Sequence, residues 1–309
     1  MAETKLVENT DCPTLPYDPA EFPRETKRHY ISASEEDIRA MLETIACNST
    51  QELFSHIDSE VLFETNPNLP DELEYGEAAK KLFDLSEKTN LKNSFVGDML
   101  PVWTTHPVVD FVSKLRPLTT SYTPYQPERS QGTLVTHWIY QCALSTLTGF
   151  EAINTSLYDR SSALFEAITC AIRTSTRCHK VLLAESLFEA DIEVLETLAE
   201  ETGIEFSLAK TCPSTGRLDL SRLEDAKEEE TEQYAAFVFP QVNKFGLLEN
   251  VDALADFAAE RGMRSIASID PMLLATGGLK PPTDFGKDGV DFIAGEAQHL
   301  AIPPSFGGP

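Results

Sequence analysis

Lys180-Val181-Leu182-Leu183-Ala184, with Glu185-Ser186 directly behind it, is an apolar run too short for a helix and closed by polar residues. A run of this kind suits a strand buried on both faces. A helical pattern follows through Ile192, Leu195, Leu198 and Ala199 and stops near Gly203. Ile204 to Leu208 is a second short run. Leu220 to Glu230 reads as helical and very acidic, and Tyr234 to Phe239 is apolar again. Val251 to Glu260 is helical up to Gly262, before Ser265 to Ile269 and later Val290 to Ile293. Short buried strands alternating with amphipathic helices predict an α/β domain, a mostly parallel sheet with helices on both faces. Crossovers in such a sheet are right-handed. Ligands bind at the carboxyl ends of its strands. That rule directs attention to Glu185-Ser186, Pro240-Gln241-Val242-Asn243, Asp270-Pro271 and Gly295-Glu296-Ala297-Gln298-His299.

Upstream of this core the texture differs. Residues 1–29 are polar and carry Pro13, Pro16, Pro19 and Pro23, the composition of an extended arm. Residues 30–94 read as a helical segment. Ser34-Glu35-Glu36-Asp37 is a helix start, with Ile38, Met41, Leu42 and Ile45 at helical spacing behind it. A second short helix is expected at Ser49 or Thr50, burying Leu53 and Phe54, and another around Glu77 to Phe83. Residues 95–309 form the expected large domain. Glu228-Glu229-Glu230 reads as a solvated helix end.

The 309 residues carry 25 Lys+Arg against 50 Asp+Glu, a formal net charge of −25. Binding to a polyanion needs clustered cations, so this balance excludes a nucleic-acid partner. No stretch approaches the ~18 uninterrupted apolar residues of a membrane-spanning helix. The amino terminus lacks the apolar centre of a secretory signal. The six cysteines are scattered without metal-ligand spacing, which predicts reduced thiols, no metal site and a cytoplasmic location.

No G-x-G-x-x-G, Walker loop, H-E-x-x-H or G-x-S-x-G is present. The six histidines are isolated from one another, and Trp103 and Trp138 read as packing residues. Three segments exceed what a scaffold requires. Ser121-Tyr122-Thr123-Pro124-Tyr125-Gln126-Pro127-Glu128 is a stiff loop rich in hydroxyl and amide groups, running into Ser130-Gln131-Gly132-Thr133 and a helix with Leu134, Trp138 and Cys142. It suits either a binding surface or a rigid turn. Leu157-Tyr158-Asp159-Arg160-Ser161-Ser162-Ala163 precedes a helical pattern, Leu164 to Ile172. Small hydroxyl residues there suit a phosphate or an ordinary helix cap. Asp270, at a strand end before Pro271, could pair with a protonated cofactor ring nitrogen or cap the next turn.

Taken together, Tyr122 to Glu128, Ser130 to Thr133, Leu147-Thr148-Gly149 and Asn154 to Asp159 resemble the amino-terminal half of the glycine cleavage system P-protein. In organisms with a split enzyme the resemblance is to subunit 1. Tyr30-Ile31 with Glu35 to Ile38, and Gly295-Glu296 with Ile302-Pro303 and Ser305 to Pro309, extend it over residues 30–309.

The resemblance implies an aspartate-aminotransferase-like fold, the fold type I of pyridoxal-phosphate-dependent transferases. It also implies glycine decarboxylation, with the aminomethyl group passing to the lipoyl arm of H-protein, and assembly with subunit 2 as a heterotetramer. That chemistry needs a lysine amine to form a Schiff base. The corresponding position here is Gln298, whose amide forms no imine, and the lysines near it are Lys280 and Lys287 in a Gly/Pro-rich connection. Pyridoxal phosphate is therefore expected on the partner subunit, with none bound covalently to this chain and no activity by the chain alone. Tyr122, Thr123, Tyr125 and Gln126 are implied at the active-site entrance. Ser161, Ser162, Asp270 and Gln298 occupy cofactor-like positions that become vestigial without the lysine. Arg160-Ser161-Ser162 replaces a glycine-bearing turn, and Phe95-Val96-Gly97-Asp98 is less glycine-rich than the family pattern. Pro309 falls within the large domain, so the family's small carboxyl-terminal domain is expected to be missing. A non-catalytic structural or regulatory paralogue is the competing reading; a self-sufficient lyase or transaminase is opposed by Gln298.

Overall fold

A computed structural model of the chain describes residues 33–62, 68–89, 103–118, 120–175, 179–219, 221–222, 234–300 and 302. The expected arm, Phe95 to Asp98, residues 223–230 of the acidic stretch and Ser305 to Pro309 lie outside these. Two compact units divide the chain, Met1–Lys92 and Asn93–Pro309.

In the first unit, helix α1 spans Glu35–Thr44. Ser34 Oγ accepts from the Asp37 N–H at 3.2 Å while Asp37 Oδ2 accepts from the Ser34 N–H at 2.9 Å, satisfying two backbone donors reciprocally. The Ser34 hydroxyl and then its N–H hold the Asp37 carboxyl below its usual range. Short 3₁₀ turns at Thr50–Phe54 and Ser59–Val61 lead to α2, Tyr75–Glu87. None of these elements buries a residue. Leu53 and Phe54, expected inside, are exposed, because two short helices cannot enclose a core of their own.

The second unit carries the sheet. Helices α3 (Val108–Ser113), α4 (Gln131–Thr148) and α5 (Arg160–Thr174) precede β1 (Lys180–Ala184). Then come α6 (Glu189–Ala199), β2 (Glu205–Ala209), β3 (Tyr234–Pro240), α7 (Val251–Glu260), β4 (Arg264–Ile269) and β5 (Phe292–Gly295). All pairings are parallel, in the order β2-β1-β3-β4-β5. β5 begins two residues later than its apolar run, because Asp291 turns its carboxylate to the Ser265 N–H and hydroxyl at 2.9 and 3.0 Å.

β1 leads to β2 on one side and β3 leads to β4 on the other, so right-handed crossovers place α6 and α7 on opposite faces. Both faces are accordingly dry. Every residue of β3 after Tyr234 is buried. Phe237 meets Phe239 in a tilted contact at 5.3 Å and Phe257 of α7 edge-on at 5.8 Å. Their burial contributes roughly 1.5–3 kcal/mol per side chain. Leu164 and Ile168 of α5, Leu195 of α6 and Leu254 of α7 join the same core.

α4 departs from this pattern. Its 18 residues are apolar on most sides, yet only Thr148 is buried. Val135, Trp138 and Ile139 stand half to two-thirds exposed, so Trp138, expected as a packing residue, faces outward. A helix apolar all round is ordinarily enclosed by other protein. Its start is fixed by backbone contact: a Cβ on Gly132 would lie 1.6 Å from the Pro117 carbonyl oxygen. Gly149, with φ of 80°, provides the left-handed cap that ends it.

Candidate functional site

The carboxyl ends of β1, β3, β4 and β5 lie side by side, with Leu183 opposite Val238, Pro240 opposite Ser268 and Ile269 opposite Gly295. The chain reverses direction across the sheet between β1 and β3, the place where α/β sheets open a crevice. Glu185 follows β1 and accepts from Lys210 Nζ and the Thr211 N–H, each at 2.8 Å. The Lys210 hydrogen bond, then that from Thr211, holds its carboxyl below the usual range. Ser186 accepts from the Lys244 N–H at 2.9 Å. After β3, Gln241 donates to the Lys280 carbonyl at 2.8 Å. Asn243 binds Glu249 at 2.9 Å and the Gly216 carbonyl at 2.8 Å, pinning the 211–218 loop to this edge.

Asp270 ends β4 and caps the 3₁₀ turn Pro271–Leu274 through the Met272 N–H at 2.9 Å. The same oxygen, Oδ1, lies 2.8 Å from His299 Nε2. The His299 side chain is 1% exposed. Trp103 meets its ring edge-on, centroids 6.3 Å apart, and donates its indole N–H to the Ile302 carbonyl at 3.1 Å. Gln298 is buried beside it, with its N–H on the Glu296 carboxylate at 3.0 Å. Gln298 Nε2, His299 Nδ1, Gln241 Oε1 and Ser186 Oγ find no hydrogen-bond partner among the described residues. Buried polar atoms rarely remain so, and here they gather at the carboxyl end of the sheet.

A groove of about 550 Å³ runs beside β5 between α4, the 152–158 loop and Gln298. Burial, and then the Glu296 charge, raises the Tyr140 phenol in its wall. Asp159 reaches the same groove as the amino cap of α5, accepting from the Ser162 N–H at 2.7 Å. The helix thus starts at Arg160, four residues before the apolar pattern that signalled it. Ser161 and Ser162 therefore lie inside the first turn. Ser161 Oγ donates to Asp191 Oδ1 at 2.6 Å, and Arg160 binds Asp191 Oδ2 at 2.8 Å with its guanidinium 4.4 Å over the Phe188 ring. Both charges are buried. The sequence gives no sign of this pair, since 31 residues separate its members.

The tyrosine-proline loop stands apart from these groups. Tyr122 and Tyr125 are almost fully exposed, and Thr123 and Gln126 are exposed beside them. The loop itself is tied down: Ser121 Oγ donates to Ser130 Oγ at 2.9 Å, and Gln131 Nε2 to the Pro127 carbonyl at 2.6 Å. It continues directly into the exposed face of α4. No hydrogen bond joins it to Asp270 or Gln298 among the described residues.

A family model described as glycine cleavage system P-protein matches residues 28–309. The chain belongs to the glycine cleavage system P-protein family. It is 34% identical over 287 residues to a Nitrosomonas europaea protein named "Probable glycine dehydrogenase (decarboxylating) subunit 1", a match covering 91% of this chain and 61% of that one. A Methylococcus capsulatus protein of the same name is 37% identical over 289 residues, with the same coverage. The chain thus spans about three-fifths of the length of these relatives. A crystal structure of glycine decarboxylase (P-protein) of the glycine cleavage system, in inhibitor-bound form, matches with a TM-score of 0.72 and 31% identity, covering 90% of this chain and 60% of that one. Oryza sativa TDC with PLP (TM-score 0.54, 13% identity, 87% of this chain and 65% of that one) shares the fold alone, that of fold type I pyridoxal-phosphate enzymes.

That fold implies pyridoxal phosphate, and the P-protein residues present here do not fit it. Such a site takes a lysine imine, a carboxylate on the pyridinium nitrogen and donors for the phosphate. At the positions that the resemblance assigns to these groups stand the Gln298 amide, an Asp270 oxygen already shared by His299 and Met272, and a Ser161 hydroxyl committed to Asp191. Lys280 and Lys287 lie beside α7, pairing with Asp252 and Glu260 at 2.6 and 3.4 Å. Lys244, which no local sequence pattern marks, is the lysine whose backbone joins the β1 end; its ammonium lies 5.7 Å from the Phe245 ring centroid.

Proposed function

We propose that this P-protein chain works as subunit 1 of a heteromeric glycine dehydrogenase (decarboxylating), with subunit 2 holding pyridoxal phosphate on its own lysine. In this reading the heterotetramer decarboxylates glycine in the cytoplasm and passes the aminomethyl group to the lipoyl arm of H-protein. This chain is silent alone. Bound pyridoxal phosphate supplies the carbanion stabilisation. This chain contributes the entrance: Tyr122, Thr123, Tyr125 and Gln126 present hydroxyl and amide groups to glycine where the two subunits meet, and the apolar face of α4 behind them is covered by subunit 2. Ser161, Ser162, Asp270 and Gln298 are remnants of a cofactor site. The observation that carries the reading is Gln298, a buried amide where an amine is required.

The test mixes the chain with subunit 2, glycine, lipoylated H-protein and pyridoxal phosphate, and follows CO2 release. Activity is expected only with both subunits present. Tyr125→Phe or Gln126→Ala should lower it about fivefold to tenfold, the worth of one hydrogen bond; unchanged rates would remove these residues from the site. The Arg160–Asp191 and Asp270–His299 pairs, each formed within this chain, favour a second reading, a structural or regulatory partner outside the chemistry. Its signature is a subunit 2 preparation that decarboxylates glycine equally well without this chain.

A further inference from the structure

His299 joins two features seldom found together, a ring buried to the last per cent and a ring nitrogen left without a partner among the described residues. Its other nitrogen, Nε2, meets Asp270 Oδ1 at 2.8 Å. Asp270 stands at the carboxyl end of β4, among the strand ends where this fold takes its ligands. The ring is held in place from three sides. Gln298–Leu300 forms a 3₁₀ turn, closed by the Leu300 N–H on the Ala297 carbonyl at 3.1 Å. The Ile302 N–H returns to the Gln298 carbonyl at 2.9 Å, and Trp103, anchored on the Ile302 carbonyl, covers the ring edge. A flat heteroaromatic ring carrying an N–H donor thus sits against a strand-end carboxylate.

We infer that the His299 imidazole is an internal occupant of a heteroaromatic binding site: it takes, from within the chain, the place on Asp270 that a small aromatic ring with an N–H donor would take from solution. Packing alone does not explain the choice. An apolar ring of similar size would fill the space without burying Nδ1 unpaired, and an unpaired buried nitrogen is destabilising. The inference rests on the fold and on this cluster, not on the heteromeric reading. The measurements that test it use the isolated 309-residue chain, so each can fail separately.

His299→Ala leaves a cavity of imidazole's own shape, bounded by Trp103 and floored by the Asp270 carboxylate. Cavities left by large-to-small substitution take up ligands of the deleted shape. The thermal midpoint of His299→Ala should fall and then rise saturably with added imidazole. Thiophene, a ring of similar size without an N–H, should leave it unmoved, and so should imidazole added to the wild type. In His299→Ala/Asp270→Asn the rescue should disappear. Equal rescue by thiophene, rescue that survives loss of the carboxylate, or none at all overturns the proposal. A wild-type measurement stands beside these in case the variant refuses to fold. Imidazole ¹⁵N NMR should find the proton of His299 on Nε2, and pyridoxamine phosphate should bind no better to wild type than to Asp270→Asn. A proton on Nδ1, or pyridoxamine phosphate binding that Asp270→Asn abolishes, overturns it equally.

Discussion

The strand-end cluster and the α4 face answer the same problem, unsatisfied surface, in opposite ways. At the end of β4 and the start of α5, residues to which the resemblance gives cofactor-like positions are bound by neighbours in the same chain: Asp270 by His299, and Ser161 by Asp191, which also holds Arg160. Along α4 nothing within the described chain covers Val135, Trp138 and Ile139, and the tyrosine loop beside them projects into solvent. In the heteromeric reading proposed above, inward closure suits a half without covalent chemistry of its own. Outward exposure fits a half whose work lies at a boundary with another protein, since permanent interfaces resemble a domain core cut in two.

The contrast breaks most visibly at Asp191. Asp191→Ala takes the carboxylate away from a buried guanidinium and a serine hydroxyl, and a loss of about 3–5 kcal/mol in urea unfolding is expected. Replacing both charges, with Arg160→Met and Asp191→Leu together, should recover most of it. Gly132→Ala comes next. Its methyl group meets the Pro117 carbonyl at 1.6 Å, so the junction of loop and α4 must shift, at about 1–3 kcal/mol in the same measurement.

Trp138→Ala sharpens the difference between the two regions. On the exposed face it should change the stability of the isolated chain by no more than about 0.5 kcal/mol. Binding to subunit 2, read by calorimetry, should weaken by about 2 kcal/mol, the loss expected of a buried tryptophan anchor. A large stability loss with unchanged binding would reverse the assignment of that face.

Two smaller effects probe the rim of the strand ends. The Ser214 hydroxyl, then that of Thr215, lowers the Cys212 thiol to about 7. Alkylation of Cys212 by iodoacetamide should therefore rise with pH through a midpoint near 7, and Ser214→Ala should move that midpoint upward. Glu185 has its carboxyl lowered in the folded state, so its contribution is complete above the ordinary carboxylate range and is lost as pH falls through the folded value. The melting difference between wild type and Glu185→Gln should hold at pH 7 and shrink below pH 4.5. The Glu185–Lys210 pair is half in solvent, so this is the smallest change expected.

Much of the scaffold was legible because buried parallel strands leave continuous apolar runs. Lys180 to Ala184 and Tyr234 to Phe239 mark β1 and β3 to within a residue. Helix starts were legible where a cap is local, as at Ser34, and misplaced where the first turn is polar. α5 begins at Arg160 because Asp159 caps it, although its apolar periodicity starts at Leu164. The strand-end positions were found by rule, but not what fills them. His299 passed as one isolated histidine among six, since nothing local links it to Asp270 twenty-nine residues earlier. Trp138 and Phe54 are apolar and therefore read as buried, yet both are exposed. Whether a neighbour exists to do the burying is not written in a helix's own periodicity.

By itself the sequence determined the alternation of strand and helix, the polar residues that follow the strands, the tyrosine-proline loop and the amide at position 298. These are local properties of spacing and side-chain chemistry. Only the tertiary structure decided that Asp270 meets an imidazole, that Arg160 is spent on Asp191, and that α4 turns its apolar side outward. Each depends on residues far apart in the chain brought within a few ångströms, and a through-space distance leaves no trace in a linear pattern.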